Sequence, residues 1–284
     1  MVRALYYVLL LIGALKLQAQ NNQSYKSDKD LILYLPLNGS VKDESFLHNN
    51  CIPYSLEPAK DRFNNDNGAF FFGNNGCIRI ENVDNFNNLT SFTLSGWVYL
   101  NYYGEQNNII SKVNPGRDFN LQITQDGIIN FHTFNNDYIH FYSETKVPLN
   151  EWTHIAFTCK RKSFQLYVNG KPENFTIHYE NRIVTQKELK LKFFWTGKDL
   201  TIGNLYLGAH ENFNGILDEI RIYKKALKPK NIEKLFIKES EEKGKMYQFG
   251  MYSNEKPPLK DSIDFPQSSV DENKESHSDK ENGN

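Results

Sequence analysis

Glu151 to Gly170, EWTHIAFTCKRKSFQLYVNG, alternates with a period of two and closes on Asn169-Gly170. In its first half Thr153, Ile155, Phe157 and Cys159 share one face and Trp152, His154, Ala156 and Thr158 the other. In its second half Phe164, Leu166 and Val168 alternate with Gln165, Tyr167 and Asn169. Side chains swap sides at every residue only in an extended strand, so the stretch predicts two β-strands joined by a tight polar turn. Asn-Gly supplies the positive φ angles that a two-residue hairpin turn needs, and a third strand is therefore expected over Lys171 to Ile177.

The same pattern extends in both directions. Leu31-Ile-Leu-Tyr-Leu-Pro-Leu37 predicts the first strand, followed by the turn Asn38-Gly39. Gly68 to Phe72 and Cys77 to Ile80 are short apolar strands separated by Gly73-Asn74-Asn75-Gly76, and Ser91 to Leu100 alternates again. Asn108 to Lys112, Asp118 to Ile123, Gly127 to Thr133, Leu200 to Leu207 and Ile216 to Tyr223 complete the strands. Short strands at such spacing, punctuated by Gly, Asn and Pro, indicate a sandwich or barrel. Glu180 to Lys198 is a less regular basic and aromatic insertion. Ala226 to Lys238 predicts one helix: Pro229 suits its first turn, and Ile232, Leu235 and Phe236 fall on one face.

Composition narrows the class. The 284 residues are 39% hydrophobic and 14% aromatic, enough for one large all-β core. Lys and Arg (33) almost balance Asp and Glu (34), for a net charge of −1, which argues against a nucleic-acid surface or a polybasic membrane patch. Residues 1–19 carry Arg3 and then an apolar run stopped by Lys16, too short to span a bilayer, and so predict a secretory signal peptide. No later segment is long and apolar enough to span a membrane. Residues 20–30 read as a linker, 31–238 as the folded domain, and 239–284 as a polar tail too poor in apolar residues to order itself.

Three cysteines are too few for a disulfide scaffold. Cys51 and Cys77, which open short apolar strands that can lie side by side, are the candidate disulfide pair. Cys159, on the face of Ile155 and Phe157, reads as a buried hydrophobe rather than a reactive thiol.

The ordered array LILYLPLNGSVKDES, NGAFFFGNNGCIRI, SFTLSGWVYL, EWTHIAFTCK, FQLYVNG and FNGILDEIRIYKKALKPKNIEKL resembles the laminin-G-like and pentraxin-like domains of the concanavalin A-like lectin and glucanase superfamily. The resemblance spans Leu31 to about Ile237. It implies an all-β, jelly-roll sandwich of two antiparallel sheets with one short C-terminal helix, and a concave face that holds a ligand. It also implies a calcium ion on the far side, held by Asp218 of the last strand with carbonyls near Asp43 or Gly73. Oxygen-only ligation suits calcium; the alternative is that Asp218 simply satisfies backbone amides at a strand end.

The enzymatic signatures of that superfamily are missing. No Glu-x-Asp-x-x-Glu strand supplies two carboxylates at the spacing a retaining glycosidase needs, and Gln122-Ile123 is followed by Thr124 rather than the His of the related lyases. The acid pairs Asp43-Glu44 and Asp218-Glu219 point to opposite faces if extended. His132, His140, His154 and His178 fall in alternating patterns and read as packed or edge histidines.

Sugar sites combine aromatic platforms with amides and carboxylates. The aromatic loops on offer are Tyr102-Tyr103, Asn135-Asn136-Asp137-Tyr138 and Phe193-Phe194-Trp195, with Trp195 the first candidate; the alternative is that the insertion around Trp195 plugs the sheet. The sequence thus predicts a secreted, noncatalytic, lectin-like domain binding a glycan or a cell-surface protein. A structural or adhesion component acting through its tail, and a divergent hydrolase or lyase, are the competing readings. Oligomeric state is not encoded in any recognisable motif.

Overall fold

The computed structural model describes residues 28–81, 83–113, 118–135, 137–161, 163–189, 195–207, 209 and 211–241. The expected signal peptide, most of the linker, the polar tail beyond 241 and Phe194 lie outside the described residues.

The alternating segments form strands β1 (Leu31–Leu35), β2 (Cys51–Tyr54), β3 (Glu57–Ala59), β4 (Ala69–Phe71) and β5 (Cys77–Ile80), then a 3-10 turn at Val83–Phe86. There follow β6 (Ser91–Leu100), β7 (Gln106–Lys112), β8 (Phe119–Thr124), β9 (Ile128–Asn135), β10 (Asp137–Lys146) and β11 (Trp152–Lys160). The last strands are β12 (Ser163–Val168), β13 (Lys171–Glu173), β14 (Phe175–Tyr179), β15 (Arg182–Val184), β16 (Leu200–Ile202) and β17 (Gly215–Tyr223), before helix α1 (Pro229–Glu241).

Every pairing between these strands is antiparallel. One sheet runs β13-β12-β11-β6-β17-β4-β3, with β1 also on β17; the other, of nine strands, runs β15-β14-β10-β9-β8-β7-β16-β5-β2. The fold is a jelly-roll sandwich. The two sheets meet through aromatic rings: Phe131 of β9 stacks on Phe157 of β11 at 4.1 Å, and Phe141 of β10 lies 4.6 Å from Phe164 of β12. Each such buried ring contributes roughly 1.5–3 kcal/mol over its exposed state.

The opening hairpin forms as its alternation requires, with Ile155 opposite Val168 and Cys159 opposite Phe164. Asn169 and Gly170 both take positive φ, 48° and 76°. The expected third strand is in fact two. β13 pairs with β12, the chain then crosses at Asn174, and β14 pairs with β10 in the other sheet.

Two further differences from the sequence reading matter below. Asp137–Lys146 is a strand rather than the end of a loop. The disulfide expected between Cys51 and Cys77 does not form: β2 and β5 are neighbours, but Cys51 lies opposite Ile80 and Cys77 opposite Tyr54. That register separates the two by three strand positions, about 10 Å at the usual rise, beyond the about 7 Å a disulfide spans between Cα atoms. Cys51, Cys77 and Cys159 are free thiols, and burial pushes the first two up to about 12.

Helix α1 follows Lys228 with Pro229 at its first position, where a missing N–H costs nothing. It buries Ile232 against Ala156 and Tyr167 and stacks Phe236 on Trp97 at 5.5 Å. The outer face of the eight-stranded sheet is thus occupied by the helix.

Candidate functional site

The outer face of the nine-stranded sheet is built differently. On β10, Ile139, Phe141 and Ser143 are buried toward the core, which turns Tyr138, His140 and Tyr142 outward. Phe131 and Ile177 do the same on β9 and β14, turning Asn130, His132 and Phe134, and Thr176 and His178, to that outer side. Register then aligns His178, His140, His132, Asn120, Ser111, Thr201 and Arg79 in one row across the sheet.

The rings of this face touch. His132 lies 5.1 Å from His140, His140 stacks on Tyr142 at 5.4 Å with only 5° between planes, and Tyr142 meets His178 edge-on at 5.1 Å. Tyr138 sets its edge against Phe134 at 5.3 Å and His132 at 5.6 Å. Amides fill the middle of the sheet. Ser111 Oγ donates to Asn120 Oδ1, Asn120 Nδ2 donates to Gln122 Oε1 at 2.9 Å, and Asn108 Nδ2 donates to the Glu211 carbonyl at 2.6 Å.

Two buried polar atoms on this face have no partner among the described residues, His132 Nδ1 in the row and Asn130 Oδ1 beside it. Asn130 Nδ2 sits 3.2 Å from His140 Nδ1, an arrangement that puts the His140 proton on Nε2. Burial lowers the His132 pKa to about 3, with the neighbouring His140 adding to the effect. It lowers that of His140 as well, helped by His178 and opposed by Asp137. Both imidazoles are therefore uncharged at neutral pH, and the middle of the face is made of rings and amides.

Of the residues singled out from sequence, Tyr138 lies on this face, 37% exposed, and Asp137, exposed at the start of the same strand, accepts the Tyr138 N–H and acts electrostatically on His140. Tyr102 and Tyr103 do not. Tyr102 donates to Asn214 Oδ1 at 2.7 Å, and Tyr103 donates to the Val147 carbonyl and packs over Gly127. Trp195 is corrected outright: it is 1% exposed, set 4.6 Å from Phe119 and 4.8 Å from Phe92, with its Nε1 donating to Thr133 Oγ1. It is a core residue and offers no platform. The sequence reading took His132, His140 and His178 for packed or edge histidines and did not single out Tyr142; their shared parity on paired strands was the available signal.

Residues 72–233 match the family described as the concanavalin A-like lectin/glucanases superfamily. The chain belongs to that superfamily. No curated protein matches it in sequence. Among solved structures it is similar to domain 4 of a GH43 extracellular arabinanase from Geobacillus stearothermophilus in complex with arabinotriose, with 16% identity, TM-score 0.54, and coverage of 72% of this chain and 98% of that one. It is also similar to the binding domain of Paraclostridial Mosquitocidal Protein 1 (17% identity, TM-score 0.56, coverage 73% and 52%). A third likeness is to the binding domain of Botulinum neurotoxin DC in complex with rat synaptotagmin II (19%, 0.55, 73% and 51%). The chain thus spans about half the length of the toxin binding domains.

Strand alternation was expected to set Asp218 and Glu219 on opposite faces; the last strand departs from it. A bulge between Asp218 and Arg221, with Glu219 at φ 55°, lets neighbouring acids turn to one side. Asp218 pairs with Arg62, whose other nitrogen is 4.0 Å from Glu219, and Glu219 also takes Arg221 at 2.7 Å and the Tyr34 hydroxyl at 2.9 Å. Two arginines thus hold two carboxylates under α1, on the sheet opposite the aromatic face.

The same contacts bear on calcium, the metal this superfamily suggested. Asp218 is engaged by a guanidinium. Asp43 is engaged by the backbone N–H groups of Tyr34, Ser45 and Asn49, the Ser45 hydroxyl and the Asn49 amide, which together shape the loop after β1. Carboxylates ringed by donors are poor ligands for a hard cation that needs six or more oxygens. Among the described residues no group of three His, Cys, Asp or Glu side chains is placed to hold a metal ion. The residues present do not fit the calcium expectation.

Proposed function

We propose that the aromatic and histidine face of the nine-stranded sheet binds a carbohydrate, and that the chain is a noncatalytic, extracellular, lectin-like domain. The observation that carries this is the juxtaposition of touching rings with two buried, unpartnered polar atoms, Asn130 Oδ1 and His132 Nδ1. Rings accept the C–H face of a pyranose or furanose, and sugar hydroxyls, which both donate and accept hydrogen bonds, can partner either atom. With His132 and His140 uncharged, the face favours a neutral glycan. The acid pair at Asp218 and Glu219 lies on the other sheet, bound to arginines, which supports binding without hydrolysis. The arabinanase domain, matched over nearly its full length and solved with arabinotriose, supports the same ligand class by analogy of fold.

A glycan array followed by calorimetry on the best hit tests the reading. His140→Ala and Tyr142→Ala each remove one ring from a stacked pair and are expected to weaken binding at least tenfold, about 1.4 kcal/mol, with unchanged circular dichroism. No glycan bound by the unaltered protein, or equal binding by both variants, would refute it.

A further inference from the structure

Lys112, the last residue of β7, has a side chain 0% exposed. Lysine is almost never buried completely, because an ammonium in a low-dielectric interior must be matched by every partner it can find. Here the partners are three. Nζ donates to Asn87 Oδ1 at 2.6 Å, to Asp118 Oδ2 at 2.7 Å and to the Gly197 carbonyl. Asp118, 3% exposed, is held in turn by the backbone N–H groups of Gly197 at 2.7 Å and Thr196 at 3.1 Å. The chain neighbours of the cluster, Phe86, Phe119 and Trp195, are all buried.

An amine that hydrogen-bonds both a carboxamide and a carboxyl group, with the amine and the carboxyl group buried, brings together the reactants and the catalyst of an amide exchange. We propose that Lys112 Nζ and Asn87 Cγ join in an intramolecular isopeptide bond, with Asp118 carrying the protons. Asp118 takes one proton from the ammonium, and the freed electron pair attacks Cγ after the amide turns its face to Nζ. A second proton passes from that nitrogen through the same carboxyl group to Asn87 Nδ2, whose bond to Cγ breaks with the electron pair as ammonia leaves. The ammonia takes the remaining proton from Asp118 and escapes as ammonium, so the carboxylate is restored and nothing is oxidised or reduced.

Two observations support the chemistry. Burial lowers the Lys112 pKa, outweighing the opposite pull of Asp118 and Asp84, and so favours the amine. Asn87 is only half-buried, and its Nδ2 lies on the exposed side toward Asp84, which gives the leaving group a way out. The bond would tie the 3-10 turn before β6 to the end of β7 and enclose β6 in a covalent loop.

Denaturing mass spectrometry of the purified protein decides the matter. The expected mass is that of the chain, from its sequenced amino terminus, less one ammonia molecule, and a protease digest is expected to yield a branched peptide joining Asn87 to Lys112. Lys112→Met and Asn87→Ala are each expected to restore the full mass. Asn87→Ala alters a half-exposed turn residue, so circular dichroism of that variant shows whether the mass change is read on a folded protein. A full, unreduced mass in the original protein overturns the proposal, as does an ammonia loss that maps to any other asparagine or glutamine.

Discussion

His154 sits at 0% exposure with its ring 5.4 Å from Trp97 and 6.0 Å from Phe236, and burial, then Arg221 and Arg62, depress its pKa to about 3. The unfolded chain protonates this group near its ordinary pKa of about 6.5, so below that pH the unfolded state binds a proton the folded state refuses. Stability is therefore full above about pH 6.5 and falls as pH drops toward 3, by up to about 1.4 kcal/mol per pH unit for this one residue. Urea denaturation at pH 7.5 and pH 5 is expected to show His154→Phe losing about 2 kcal/mol less than the original protein over that interval. Parallel pH profiles in the two proteins would mean that His154 is not held neutral.

At the scale of elements, the turn that closes the opening hairpin also seats the helix. Gly170 has φ 76°, and a Cβ there would come 3.0 Å from the Phe236 ring and its own Cβ. Gly170→Ala is expected to cost about 1–2 kcal/mol through backbone strain and pressure on Phe236. Phe236→Ala removes the stack on Trp97 and is expected to relieve part of that pressure, so chemical denaturation of the double variant should show a loss smaller than the sum of the two singles. Strict additivity would show that the turn and the helix are energetically independent. This hairpin was legible because its alternation is local, and so was the helix, whose Pro229, Ile232 and Leu235 signal it within a few turns. β10 was not, because Asp137-Tyr138 follow two asparagines that suggest a loop, and its outward Tyr, His and Tyr do not contrast with its inward Ile and Phe as sharply as charges would. The split at Asn174, the bulge at Glu219 and the offset of Cys51 from Cys77 are facts of register between strands distant in sequence, which no single stretch encodes. Trp195 misled for a related reason: an aromatic cluster is equally apolar as a platform and as a plug, and only the sheet beneath decides.

Across the whole sandwich, the two outer faces carry different loads, and the tryptophans report on only one of them. Trp97 and Trp152 lie on the outer side of the eight-stranded sheet, where Trp97 stacks on Phe236 of α1 and Trp152 meets Tyr99 at 5.6 Å. Trp195, the last of the three in the chain, is enclosed between the sheets beside Phe92 and Phe119. The proposed ligand face holds tyrosine, phenylalanine and histidine rings instead. A sugar settling there displaces water from imidazoles and phenols while leaving the surroundings of every indole unchanged, since jelly-roll interiors are packed too tightly to transmit a small surface change as a general loosening. Titration with a bound glycan is therefore expected to leave the tryptophan emission maximum in place while shifting the imidazole C–H resonances of His132, His140 and His178. The reverse pattern, indole emission moving while those imidazole signals stand still, would place the ligand on the helix side of the molecule and remove the aromatic and histidine row from its recognition.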